Sequence, residues 1–113
     1  MKSATFVTKL KLNSMLQFDA ENFESLETEA HERAEEVGIA TVEAICKGLE
    51  LGVDVVNVGY MKNLNMDITC DKDGFLEALT INLSRCEAAE EYELCIKARK
   101  WIKKLIHEEE QAT

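Results

Sequence analysis

The sequence predicts an α+β fold, a small antiparallel sheet of about three strands packed by helices in the order β-α-α-β-β-α. Two observations lead there. Apolar residues alternate with polar ones at Val56, Val58, Tyr60, Leu64, Met66, Ile68 and Cys70; after Asp71, Lys72, Asp73 and Gly74 they move to odd positions as Phe75, Leu79, Ile81 and Leu83. Period two marks a strand with one buried face, and the change of phase across a turn marks a hairpin over residues 55–84. Upstream, Phe23, Leu26, Ala30, Ala34 and Val37 recur at three and four residues and continue, in a different phase, as Val42, Ile45 and Leu49. That spacing is the apolar stripe of a helix, and the phase change at Gly38 predicts a bend or break there.

Taken in order, residues 5–12 alternate (Phe6, Thr8, Leu10 and Leu12 against Val7, Lys9 and Lys11) and read as a first strand. Asp19 is the expected N-cap of the first helix, with Glu21 and Glu24 in the turns where the helix dipole favours acids. Gly52 is the expected stop of the second helix before the β-branched run 53–58. A strand over the whole of 55–70 would extend about 50 Å, so a bulge or interruption is expected between Gly59 and Asn63. Ser84, with Glu87 three residues on, is the expected start of a final helix to residue 109, which buries some of Ala88, Tyr92, Cys95, Ile96, Ile102, Leu105 and Ile106. With 113 residues, no proline and five glycines, the chain reads as a single α+β domain without linkers or repeats.

The net charge of −9 is unevenly placed. Residues 19–54 hold eleven acids against two bases, Arg33 and Lys47, and so carry all of it; the remainder has eleven of each sign. Such a block repels nucleic acid and anionic membranes and attracts a basic surface. No apolar block of a signal peptide or membrane span occurs, so a cytoplasmic location is the expectation. Cys46, Cys70, Cys86 and Cys95 lack the close spacing of zinc or thioredoxin-like motifs and are expected to pack as reduced thiols. A disulfide between Cys70 and Cys86 is left open.

The candidate chemistries are weaker than their structural alternatives. Asp71, Asp73 and Gly74 recur in calcium loops, but aligning Gly74 to the loop glycine puts Thr69 and Thr80 at the first and twelfth positions, where acids are needed, so a turn is expected. Glu27, His31 and Glu35 are four apart, a spacing that holds metals on helices, yet they read as part of a solvated acidic face. The glycines of Gly48 and Gly52 lack phosphate-loop spacing. Trp101 among Lys97, Arg99, Lys100, Lys103 and Lys104 suggests nucleic acid or membrane contact, but the same helical stretch carries six glutamates, and a half-buried tryptophan is the simpler reading.

No enzyme, metal or cofactor is therefore expected. The functional expectation is a small acidic binding protein whose segment 19–54 docks on a basic surface of a larger protein through Glu21, Glu24, Glu27, Glu29, Glu32, Glu35 and Glu36. In size and charge it is similar to small phage proteins that inhibit host nucleic-acid-binding or defence machinery. The alternatives are a self-assembling scaffold, a homo-oligomer built through sheet edges or the last helix, and a small-ligand binder or enzyme.

Overall fold

The computed structural model describes residues 16–112. Its elements are β1 (Gln17–Phe18), α1 (Phe23–Glu32), α2 (Ala34–Leu51), β2 (Val55–Met61), β3 (Met66–Asp71), α3 (Lys72–Ala88) and α4 (Tyr92–Ala112). The α+β class and the predicted order β-α-α-β-β-α are present, the last helical part being two helices. The sheet order is β1-β2-β3, with β1 parallel to β2 and β2 antiparallel to β3, so the sheet is mixed and only its hairpin is antiparallel. The strand expected over residues 5–12 lies outside the described residues.

The hairpin is shorter than predicted and turns elsewhere. It reverses at residues 62–65, not at 71–74, placing Met61 opposite Met66 and Val56 opposite Cys70. Asn65 takes the left-handed conformation that asparagine tolerates (φ 50°), and its side-chain oxygen accepts from the Tyr60 hydroxyl. The pairing shifts between Asn57 and Gly59, leaving Val58 as the extra residue of a bulge, close to where the length of the alternation required an interruption.

Residues 75–83 form no strand; they lie inside α3. The reason is visible at Glu77, which breaks the alternation, and in the residues that are buried: Phe75, Leu79, Asn82 and Cys86, spaced four, three and four. Ile81, which a strand would have turned inward, is 55% exposed. Asp71 to Gly74 therefore begin a helix, where aspartate is as well suited as in a turn.

Helix boundaries also moved. Asn22, not Asp19, caps α1: its side-chain oxygen accepts from the Ser25 N–H at 2.8 Å, and the Ser25 hydroxyl oxygen accepts from the Asn22 N–H at 3.3 Å. The break between the first two helices falls at Arg33 (φ −109°, ψ 33°), five residues before Gly38. Gly38 lies within α2, where a Cβ would stand 2.5 Å from the Cβ of Arg85, so this glycine serves the close approach of α2 to α3. Gly52 ends α2 in the left-handed conformation (φ 73°), as expected. Ser84 caps nothing, because α3 runs through it; the interruption comes at Glu90, whose φ is 61°. The Glu90 N–H donates to the Glu87 carbonyl and the Glu91 N–H to the Cys86 carbonyl, both at 3.0 Å, which is the double hydrogen bond that closes a helix when its C′ residue is left-handed.

The core is assembled from Val42, Ile45 and Cys46 of α2, Val56 of β2, Phe75, Leu79 and Cys86 of α3, and Cys95 and Ala98 of α4. The α2 and α3 helices make the most extensive contact between helices, and α2 also lies on β2. Gly48 permits that second contact, since a Cβ there would meet the Val56 side chain at 2.2 Å. Among the described residues, no helix is long and apolar enough to cross a membrane.

Candidate partner-binding surface

No α1 residue is fully buried, though Leu26 and Ala30 are half-buried; the helix rests on β1 and α2. Arg33 holds them together. Its Nη1 donates to the Gln17 carbonyl at 2.7 Å and to Glu29 at 2.9 Å, while Nε and Nη2 each donate to Glu36 at 3.2 Å. The same guanidinium stands 5.2 Å from the centre of the Phe18 ring. Glu29 also accepts from the Asp19 N–H, at 2.9 and 3.1 Å. A second tie joins Asp19 to Lys62 at 2.6 Å. The electrostatics follow: hydrogen bonding and charge from Lys62 hold the Asp19 carboxyl below its usual range, and Arg33 does the same for Glu36.

These ties divide the seven glutamates named by sequence. Glu29 and Glu36 are engaged by Arg33. Glu21, Glu24, Glu27, Glu32 and Glu35 are exposed and, among the described residues, carry no ion pair. Open grooves flank α1. One, of about 660 Å³, is lined by Glu24, Glu27, Thr28, Ala30, His31, Glu32, Val37 and Arg85; the other, of about 650 Å³, by residues including Asp19, Glu21, Glu24, Ser25 and Glu29. The helix is thus a ridge with carboxylates on both slopes, able to meet cations from either side. Among the described residues no three or more His, Cys, Asp or Glu side chains are grouped to hold a metal. The helical ladder that would align Glu27, His31 and Glu35 is interrupted at Arg33.

All four cysteines are free, so Cys70 and Cys86 form no disulfide. The Cys70 thiol donates to the Asp71 carbonyl at 3.7 Å and the Cys86 thiol to the Gly38 carbonyl at 3.9 Å. Burial pushes the thiols of Cys46 and Cys86 up to about 11, which keeps them protonated and poor as nucleophiles at neutral pH.

The last helix holds what sequence reasoning missed. Only Cys95 and Ala98 are fully buried in α4, and Trp101 is half-buried with Lys104 lying 5.0 Å over its ring. Of the seven residues of which some were expected inside, Cys95 is buried and Ile102 and Leu105 are half-buried, while Tyr92, Ile96 and Ile106 are 62%, 53% and 44% exposed, and Ala88 at the end of α3 is exposed too. Apolar residues cover more than half of the circumference of α4, so the sequence carried no signal for which of them face outward. No family model matches the chain, and no curated protein or solved structure is found to be similar to it.

Proposed function

We propose that this is a small acidic binding protein, without catalysis of its own, whose segment 19–54 docks on a basic surface of a larger protein. The observation that carries the proposal is the ridge: five exposed glutamates, without an ion pair among the described residues, on and around a helix that buries none of its side chains. Carboxylates already neutralised within the fold would have little to offer a cationic partner; of the seven glutamates, Glu29 and Glu36 are so used among the described residues. A ridge of negative charge has the sign of a nucleic-acid backbone and fits a groove that evolved to hold one. Inhibition of nucleic-acid-binding or defence machinery in the cytoplasm, in the manner of small phage inhibitors, is the role that suits such a surface. The exposed Tyr92, Ile96 and Ile106 of α4 favour a second reading, self-assembly.

The test is affinity capture from the native host lysate with the wild-type chain and with a variant carrying Glu24→Gln, Glu27→Gln, Glu32→Gln and Glu35→Gln. The expected result is a basic protein retained by the wild type alone and released as salt shortens the range of exposed charges to below about 8 Å. A variant that retains the same proteins at the same salt overturns the proposal.

A further inference from the structure

The outward side of α4 is the counterpart of the ridge. Tyr92, Ile96, Arg99, Lys103 and Ile106 follow one another at spacings of four and three, which sets them along one side of a helix, and all five are exposed. Residues 94–107 contain five bases and no acid. Two of these bases are used within the chain, Arg99 by Glu87 and Lys97 by Glu50 at 4.0 Å; among the described residues Lys100 and Lys103 have no ion-pair partner. The ridge mirrors this composition in the opposite sign, with Phe23, 65% exposed, beside Glu24 and Glu27. Within one chain α1 packs on β1 and α2, and α4 on α3 and α2, so each leaves its charged side turned outward. The two stretches also match in size: α1 is about 15 Å long and the α4 stripe about 21 Å.

We propose that the basic surface that covers the acidic ridge when no other partner is present is α4 of a second copy of this chain. A two-fold arrangement makes the contact twice, each α4 lying on the other copy's ridge, with Tyr92 and Ile96 beside Phe23 and with Lys100 and Lys103 among the glutamates. It rests on the docking role proposed above for the ridge and names an occupant for it. Self-pairing then masks the ridge in proportion to concentration, and a basic partner competes with it.

The experiment is sedimentation of the full chain at roughly 100 μM in about 50 mM and about 0.5 M salt, conditions between which the screening length falls from roughly 14 Å to roughly 4 Å. The expected mass is twice 12.8 kDa at low salt and 12.8 kDa at high salt. Two charge-reversed variants, Glu24→Lys with Glu27→Lys and Glu32→Lys, and Lys100→Glu with Lys103→Glu, each stay monomeric alone. Mixed in equal parts they recover the pair, because both contacts become complementary again, and that recovery also shows that both are folded. A wild-type chain that stays at 12.8 kDa in low salt, a single variant that still pairs, or a mixture that stays monomeric overturns the proposal. The Lys100→Glu, Lys103→Glu variant keeps its ridge intact, so retention of basic proteins by that variant preserves the ridge's role even where self-pairing fails.

Discussion

Two helices joined at a single residue, α1 and α2, behave as different kinds of structure. The second buries Gly38, Thr41, Val42, Ile45, Cys46 and Gly48 against α3, α4 and β2; the first buries nothing. Both carry apolar residues at helical spacing, so the difference is not one of pattern. It lies in what the pattern meets: the α2 stripe faces Phe75 and Leu79, whereas α1 has no fully buried residue and is tied to β1 through the Arg33 guanidinium and Glu29. A helix fastened by polar contacts remains available to a partner, and a helix fastened by a core does not.

The largest expected effect lies on the core side. Phe75 is fully buried, and Phe75→Ala is expected to cost about 3–5 kcal/mol in denaturant unfolding, whereas Phe23→Ala, in the exposed start of α1, should change stability by less than about 0.5 kcal/mol. Equal losses at the two positions would abolish the contrast. Next comes the clasp itself. Arg33→Ala removes hydrogen bonds to Gln17, Glu29 and Glu36 and is expected to cost about 2 kcal/mol, with amide exchange accelerating through 23–32 and not through 72–88. Glu90→Gly acts in the opposite direction. It relieves a left-handed conformation unfavourable for a residue with a Cβ, so a gain of about 1 kcal/mol in thermal or denaturant stability is expected.

The smallest effect concerns acid. Asp19 and Glu36 are held below the usual carboxylate range, so their contribution is present above the unfolded-state values and fades as pH falls through the lower folded ones. Amide protection of α1 should therefore decline on acidification below the ordinary carboxylate range while protection of α3 holds. Protection lost at the same pH in both helices would mean that α1 is not separately fastened.

Part of the site could be read directly. Glu29 and Glu36 stand four before and three after Arg33, the spacings at which helical side chains meet, and the other five glutamates have no lysine or arginine so placed. The carbonyl of Gln17 and the N–H of Asp19 could not be foreseen as partners, because they arrive from β1 across the fold. On α4, apolar residues occur at 92, 94, 95, 96, 98, 101, 102, 105 and 106, over more than half of the helix circumference. Periodicity could not choose the outward side there, so the Tyr92, Ile96 and Ile106 stripe emerged only with the fold.

What the sequence by itself determined is the class of the fold, the stop at Gly52 and the concentration of charge in residues 19–54, because each depends on spacing, on a local backbone preference or on simple counting. The tertiary structure alone decided that 72–88 is helical, that the chain breaks at Arg33 and Glu90 rather than at Gly38 and Ser84, and which carboxylates are neutralised. An apolar residue at every second or every fourth position is compatible with more than one element, and the choice between them is made by the surface available to bury it. For Phe75 and Leu79 that surface is α2, whose close approach depends on a glycine that the local pattern alone reads as a break.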